Sequence, residues 1–433
     1  MQRSTWNGVE FSRTRAFRGL AIGVLLLAAV SGLVRLGPIS RADAQSPVPT
    51  AAPAPGTPPA SVPDAGGSIA LEAFRPQPRL RVPQTPLEQA SQPVVDVHAH
   101  FHVRFRGSRE QLDEFVRVMD RNRIAVCVSL DGRLPDGFAE QRDFLWKHHA
   151  DRFVIFANLD WQGAGKPDDW SSWACNQPDF VHHAVRQLED AAGQGASGLK
   201  IFKQLGLQYR HPDGSLIRVD DPRWDPIWEA AGRLGLPVIM HTADPSAFFE
   251  PIDERNERWE ELHRHADWSF HGPGFPSRDE LLAQRNQVIA RHPRTVFLAA
   301  HMANDAEDLR QVAEWLKAYP NLHVELASRI SELGRQPYSA RRFLIEHADR
   351  VLFGTDGPWP ETRLRLYWRF LETEDEYFPY SEKPFPPQGL WQIYGVHLPA
   401  PVLEKIYHGN AARLIPGVRE RLERFRARQA PPE

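Results

Sequence analysis

The chain has 433 residues, a quarter of them charged, and its formal net charge is −3 at pH 7. This near balance provides no basic surface, which excludes nucleic acid as an expected partner and leaves no general attraction to anionic lipid. With only two cysteines, the chain also differs from the small disulfide-held scaffolds of secreted proteins.

Residues 1–44 have the pattern of a signal peptide. Several arginines precede an apolar stretch from Gly19 to Val34, and a small-x-small sequence ends at Ala44. We expect cleavage near Gln45 and export to the periplasm or the extracellular space. The alternative is an uncleaved membrane anchor, although the apolar stretch is short compared with the about 20 residues of a membrane-spanning helix.

Residues 45–92 are dominated by Pro, Ala, Ser and Gly. Such a segment buries too little apolar surface to offset the entropy lost on ordering, so we expect a disordered linker. The composition changes at residue 93, where we expect one large domain over 93–420. The residues 421–433 are predicted to form a charged C-terminal tail.

Eight short runs rich in β-branched residues follow, and amphipathic stretches separate them. The runs are Val94–His98, Ile124–Leu130, Phe153–Leu159, Gly198–Lys203, Pro237–His241, Thr295–His301, Leu322–Ala327 and Val351–Asp356. Helical patterns cover Arg109–Asn122, Phe138–His149, Phe180–Ala192, Arg223–Leu234, Arg278–His292, Ala306–Tyr319 and Pro337–His347. This alternation predicts an α/β fold, a (β/α)8 TIM barrel, with the active site where the strands end. A doubly wound open sheet also alternates, but no glycine-rich phosphate loop follows the first run.

Two connections are too long for simple loops between a strand and a helix. One runs from Thr242 to Pro276 after the fifth strand, and the other extends from Asp356 to about Pro401 after the eighth. Both are rich in aromatic residues. Loops of this kind on the catalytic face cover the site and shape the substrate pocket. The alternative role is a subunit interface in a homo-oligomer.

Five residues suited to metal binding or proton transfer stand at strand ends. His98 and His100 share a strand face because side chains alternate with period two, and such a pair is half of a divalent metal site. The barrel brings His241, His301 and Asp356 to the same face. Together with His241 and Asp356, the pair suits Zn²⁺ or another first-row divalent ion and leaves a position for water. His301 is then either a ligand of a second metal or a proton shuttle.

These residues stand in motifs that resemble the amidohydrolase superfamily, and within it the amidohydrolase-2 branch of aminocarboxymuconate-semialdehyde-decarboxylase-like proteins. The motifs are His-Ala-His at 98–100, Ile-Met-His-Thr around His241, Ala-Ala-His-Met around His301, Gly-Thr-Asp ending at Asp356, and the closing sequence Ile406–Arg413. The resemblance implies one Zn²⁺ ion held by His98, His100, His241 and Asp356. It also implies that His301 is the acid/base residue beside the bound water.

Lys200 and Arg329 are candidates for substrate binding. The apolar Leu199 and Ile201 share one face of the fourth strand, which turns Lys200 toward the barrel interior. By the resemblance, a carboxylated Lys200 bridges a second metal, whereas an unmodified Lys200 pairs with a substrate carboxylate. We expect one metal and an unmodified lysine. Arg329 either grips an anionic substrate group or forms a surface ion pair with Glu332.

Three functions fit this sequence. The expected one is hydrolysis of an amide, ester or lactone bond of a small molecule by metal-activated water, with His301 and Asp356 as catalytic residues. The alternative reaction is non-oxidative decarboxylation of a small aromatic or enoic acid. The third is a non-catalytic exported binding protein, against which the complete ligand set argues.

Overall fold

The computed structural model describes residues 67–70, 73–74, 76–383 and 388–429. The barrel belongs to a compact unit that begins at Gln77. The predicted signal peptide and the first part of the predicted linker lie outside the described residues. Within the described ranges, no helix is both long and apolar enough to cross a membrane.

Eight parallel strands form one sheet in the order of the sequence. They are β1 (Val94–Ala99), β2 (Ile124–Arg133), β3 (Phe153–Asn158), β4 (Gly198–Ile201), β5 (Val238–Met240), β6 (Phe297–Ala299), β7 (Leu322–Glu325) and β8 (Val351–Leu352). The sheet closes on itself, because the backbone N–H of His100 donates to Gly357 (2.7 Å) and that of Val97 donates to Phe353 (3.0 Å). The predicted (β/α)8 barrel is therefore confirmed.

Helices surround the strands, and all seven predicted helices are present among them. The helices are α1 (Phe101–Phe105), α2 (Arg109–Arg121), α3 (Asp136–His149), α4 (Phe180–Gly193), α5 (Gln204–Leu207), α6 (Asp225–Arg233), α7 (Trp259–Leu262), α8 (Arg278–Arg291), α9 (Ala300–Ala303), α10 (Leu309–Ala318), α11 (Ile330–Arg335), α12 (Pro337–Glu346), α13 (Glu361–Glu372), α14 (Ala400–Glu404), α15 (Asn410–Leu414) and α16 (Val418–Gln429). Of these, α5 and α9 are short turns with non-helical dihedral angles inside them. Ser277 caps α8 by accepting a hydrogen bond from the backbone of Glu280, as the sequence pattern indicates.

The last helix packs under the barrel at the amino ends of the strands. Leu422 and Phe425 of α16 are buried in one cluster with strand residues such as Val97 and Leu298. Arg421 of the same helix donates to the backbone oxygen of Ala150, just before β3. The expectation of a charged tail from residue 421 is therefore wrong as far as residue 429. The helix buries Val418, Leu422 and Phe425 at helical spacing, although most of its other residues are charged.

The residues directly before β1 also pack on the barrel. The backbone N–H and the hydroxyl of Thr85 both donate to the carboxylate of Asp375, at 2.8 and 2.7 Å. The backbone N–H of Ser91 donates to Glu372 at 3.0 Å, and Ala90 has no exposed surface. The prediction of a disordered linker up to residue 92 is therefore wrong for residues 85–92.

We expect truncation to separate the packed part of this segment from the rest. A chain that starts at Pro93 loses the two hydrogen bonds of Thr85 to Asp375 and that of Ser91 to Glu372, and it should be less stable by about 2–4 kcal/mol. A chain that starts at Gln77 keeps these bonds and should unfold like the uncut chain. Thermal unfolding of the two truncated chains measures the difference. Equal midpoints would mean that the contacts of Thr85 and Ser91 contribute nothing to stability.

Both long connections are present after β5 and β8. The first contains α7, and its Phe270 ring lies 5.2 Å from the amino group of Lys203. The second contains α13, and near its start the indole N–H of Trp359 donates to the backbone oxygen of Thr355 at 2.8 Å. The two loops therefore stand over the carboxyl ends of the strands, where the predicted site residues lie.

Candidate metal centre

Three predicted ligands meet at the mouth of the barrel. The Nε2 atoms of His98 and His100 are 3.3 Å apart, and each lies 3.6 Å from Oδ1 of Asp356. His98 is the fifth of the six buried residues of β1, and Asp356 lies in the segment after β8 that bonds to β1 where the barrel closes. Residues that are about 250 positions apart in the sequence therefore place three donor atoms in one small triangle.

This triangle has the size that a first-row divalent ion requires. A point equidistant from the three atoms lies about 2.0 Å from each, which matches the usual zinc–nitrogen and zinc–oxygen bond lengths. Two imidazole nitrogens and a carboxylate oxygen are also the donor types that such ions prefer. Burial alone would raise the pKa of Asp356, but the charges of His98, His100 and Arg104 outweigh it and lower that pKa. The residues fit a divalent metal ion.

Two further carboxylates bond to His100 and His98. Oδ1 of Asp131, at 2.7 Å, accepts a hydrogen bond from Nδ1 of His100, which leaves Nε2 of that ring for the triangle. Asp96 accepts hydrogen bonds from the backbone N–H groups of His98 (3.1 Å) and Thr355 (3.0 Å), and so ties β1 to the segment after β8. Burial raises the pKa of Asp96 to about 7.

Glu325, the last residue of β7, is a site residue that the sequence reasoning missed. Its side chain has no exposed surface, and its Oε1 lies 2.9 Å from Nδ1 of His98. Burial raises the pKa of Glu325, against the effect of the backbone N–H groups that bond to it. A carboxylate inside the predicted strand Leu322–Ala327 was the available signal, since buried acids need partners.

His301 stands on a left-handed turn directly after β6. Residues 301–304 all have φ between 56° and 57°, a conformation that costs each non-glycine residue on the order of 1 kcal/mol or more. Two arginines hold the turn: Arg285 donates to the backbone oxygen of Ala303, and Arg278 donates to that of Asn304. Strain at this position indicates that the direction of the His301 side chain matters.

The ring of His301 is oriented and neutral. Its Nδ1 lies 2.9 Å from the backbone oxygen of Ala327, which can only accept a hydrogen bond, so the proton is on Nδ1 and Nε2 is unprotonated. The ring centroid lies 4.9 Å from that of His98. Burial holds the pKa of His301 well below its ordinary value, and the nearby His241 and Arg329 act in the same direction. His301 therefore offers a proton acceptor beside the triangle.

His241, the fourth predicted ligand, lies next to His301 but outside the triangle. The two ring centroids are 4.5 Å apart. Within the described part of the chain, donor atoms lie within 4.8 Å of one another in two groups, His98–His100–Asp356 and His98–His301–Glu325, and neither includes His241. The role of His241 as a ligand stays a prediction.

The nearest partner of His241 is Asp244, a second residue that the sequence reasoning missed. Nε2 of His241 lies 3.2 Å from Oδ1 of Asp244, whose other oxygen pairs with the amino group of Lys203. Burial alone would raise the pKa of Asp244, but Lys203 and His241 outweigh it and lower that pKa. Burial lowers the pKa of His241 to about 4. Only the folded chain brings Lys203, after β4, to the loop after β5.

Lys200 points into the barrel, as predicted from its apolar neighbours. Its side chain is 1% exposed, and in the described structure its amino group has no hydrogen-bond partner. The amino group lies 5.2 Å from the ring of Phe202. Burial lowers the pKa of Lys200 to about 8. An unpaired buried amino group is costly, and an anionic partner would remove that cost.

Arg329 follows β7 and is buried, which rules out the predicted surface ion pair. Its guanidinium donates to the backbone oxygen of Ser328 at 2.8 Å. Glu332 pairs instead with Arg258 of the long loop after β5. The structure thus leaves Arg329 at the mouth of the barrel, where Ser328 also donates its hydroxyl to Oδ2 of Asp356 at 3.2 Å.

Solved structures with a similar fold include two decarboxylases and a hydrolase. They are a 2,6-dihydroxybenzoate decarboxylase from Rhizobium (19% identity, TM-score 0.43, 75% of this chain and 98% of that chain), a dihydroxybenzoic acid decarboxylase from Polaromonas sp. JS666 with bound manganese (16%, 0.45, 78% and 98%), and a probable 2-pyrone-4,6-dicarboxylic acid hydrolase from Acinetobacter baumannii (13%, 0.36, 62% and 85%). At these values the likeness carries no argument about the reaction.

Comparison with curated protein sequences found no match. The family model of the amidohydrolases, by contrast, matches residues 95–417. This range contains all eight strands except Val94, the first residue of β1, and it contains every predicted site residue. The resemblance read from the motifs is therefore confirmed. This chain belongs to the amidohydrolase-2 family of metal-dependent enzymes.

Proposed function

We propose that this protein is a hydrolase that uses one divalent metal ion, zinc, to cleave an amide, ester or lactone bond of a small molecule. The observation that carries the proposal is the triangle of His98, His100 and Asp356 beside the unprotonated Nε2 of His301. An ion bound there supplies Lewis acidity, which lowers the pKa of water toward about 7.

The chain's own residues divide the remaining work. His301 accepts the proton of the attacking water at Nε2, because its Nδ1–H is already committed to the oxygen of Ala327. The same nitrogen then delivers that proton to the leaving group. Asp356 contributes Oδ1 to the triangle, while its Oδ2 accepts a hydrogen bond from Ser328 that keeps the carboxylate in place.

Lys200 and Arg329 are proposed to bind an anionic group of the substrate. Among the described residues, the buried amino group of Lys200 has no hydrogen-bond partner, and Arg329 forms no ion pair with a carboxylate, because Glu332 pairs with Arg258. An unmodified Lys200 in this role is consistent with a single metal ion. If the amino group of Lys200 were carboxylated, the resulting carbamate would instead be a ligand for a second metal ion.

Non-oxidative decarboxylation is the second candidate, and Lys200 is the observation that favours it. A substrate carboxylate that pairs with the buried amino group is the group that such a reaction removes as CO2. For this step, Nε2 of His301 would first take up a proton from water, and it would then deliver that proton to the carbon that loses CO2. Both reactions use the same residues, and they differ in the bond that breaks.

Direct assay distinguishes the candidates. The purified protein, loaded with zinc or manganese, is incubated with panels of lactones, amides, esters and aromatic carboxylates. Hydrolysis appears as a new carboxylic acid, and decarboxylation as released CO2 from a carboxyl-labelled substrate. Metal binding without turnover in any panel would favour the non-catalytic binding protein instead.

We also propose that the protein is exported after cleavage near residue 44, on the sequence pattern alone. The expected result is a mature chain that begins near Gln45 in the periplasmic or extracellular fraction. N-terminal sequencing of that fraction tests the proposal. An uncleaved chain in the membrane fraction would support the anchored alternative.

A further inference from the structure

Glu325 makes three hydrogen bonds within the site, although its side chain is completely buried. Oε1 accepts from the Nδ1–H of His98 at 2.9 Å and from the backbone N–H of His301 at 2.8 Å. Oε2 accepts from the backbone N–H of Ala327 at 2.5 Å. Two of the three donors belong to residues that the proposed function requires.

The first contact decides which nitrogen of His98 is free. A carboxylate that already accepts two backbone N–H groups acts as an acceptor, so the ring proton is on Nδ1. The lone pair of Nε2 then points toward Nε2 of His100 and Oδ1 of Asp356, at 3.3 and 3.6 Å. In the other tautomer, Nε2 would carry a proton and could not bind a metal.

The second contact holds the start of the left-handed turn. The N–H of His301 is fixed by Oε1 of Glu325, and the ring of His301 is fixed by the backbone oxygen of Ala327. Ala327 itself donates its N–H to the other oxygen of Glu325. One carboxylate therefore sets the positions of a metal ligand and of the proton acceptor relative to each other.

The segment after β8 packs closely against this carboxylate. A Cβ atom on Gly354 would lie 2.6 Å from Oε2 of Glu325 and 3.2 Å from Cβ of His98. Only glycine at 354 leaves room for the carboxylate between β7 and the segment after β8. The packing at Gly354 therefore adds to the hydrogen bonds that hold Glu325 in place.

We propose that Glu325 is a positioning residue that fixes the tautomer of His98 and the orientation of His301 together. The inference rests on the proposed function, in which His98 binds the metal and His301 transfers the proton. The two oxygens of Glu325 accept three N–H donors, so the role proposed here acts through His98 and His301 and not through the ion.

The test compares Glu325→Gln with Glu332→Gln, a control that removes another buried carboxylate from the segment after β7. The zinc dissociation constant of each full chain is measured by competition with a chelator, and the histidine tautomers by nitrogen-15 NMR, with His98→Ala used to assign the ring. We expect Glu325→Gln to weaken zinc binding by about 10–100-fold and to reduce the Nδ1–H form of His98. Glu332→Gln should leave both unchanged.

Gly354→Ala provides a second variant that keeps the carboxylate but displaces it, and it should weaken zinc binding in the same direction. Circular dichroism checks that each variant is folded. Wild-type affinity and an unchanged His98 tautomer in Glu325→Gln would overturn the proposal for Glu325. A wild-type protein that binds no divalent metal would overturn the proposed function instead, so the two failures are distinguishable.

Discussion

Replacing His301 with asparagine should lower kcat by about 10²–10⁴-fold, the usual contribution of a positioned acid/base group. The bound metal should stay near the wild-type amount, because the three closely grouped donor atoms belong to other residues. Asparagine tolerates the left-handed conformation at this position better than most residues, so the turn should survive the change.

Metal analysis and steady-state kinetics on the same preparation measure both effects. His323→Asn is the matched control, because His323 is also a buried histidine but lies outside both groups of donor atoms. Its kcat should resemble that of wild type. Loss of metal together with rate in His301→Asn would make His301 a ligand, and unchanged kcat would leave it a packed histidine without a catalytic role.

Replacing His98 with alanine should remove the metal. His98 provides one donor atom of the triangle, next to those of His100 and Asp356. Water in the space left by its side chain would not replace the lost nitrogen ligand. We expect the affinity to fall by more than about 100-fold, beyond the range seen when only a residue hydrogen-bonded to a ligand is changed. Activity should fall to the level of the metal-free protein.

The metal content of purified chains measures this directly, and wild type should contain one divalent ion per chain. His149→Ala serves as control, since His149 lies on α3 and bonds to Asp113 at 2.7 Å, away from the triangle. Two ions per wild-type chain, with a carboxyl group on Lys200, would contradict the single-metal site. Wild-type metal content in His98→Ala would remove His98 from the ligand set.

The sequence predicted the strands well because each is a short apolar run with a local signal. The predicted carboxyl ends of the strands were less accurate near the candidate site. The sixth run was predicted to reach His301, but β6 ends at Ala299 because residues 301–304 turn left-handed. The eighth was predicted to reach Asp356, but β8 ends at Leu352. Those turns depend on hydrogen bonds to distant residues, which no local pattern contains.

Composition led to wrong predictions for the segments directly before β1 and after residue 420. Proline and alanine before β1 indicated disorder up to residue 92, although Thr85 finds a partner 290 residues away in Asp375. Charged residues after position 420 indicated a tail, although Leu422 and Phe425 are buried. In both cases a few contacts with the barrel outweigh the average character of the segment.

The sequence by itself determined the order of strands and helices and the residue types at the strand ends, because periodicity and ligand chemistry are local properties. Only the tertiary structure decided which of those residues meet. It grouped His98 and His100 with Asp356, paired Lys203 with Asp244, and placed Glu325 within hydrogen-bond distance of His98 and of the backbone of His301. The physical reason is that closure of the barrel brings together side chains that no sequence spacing relates.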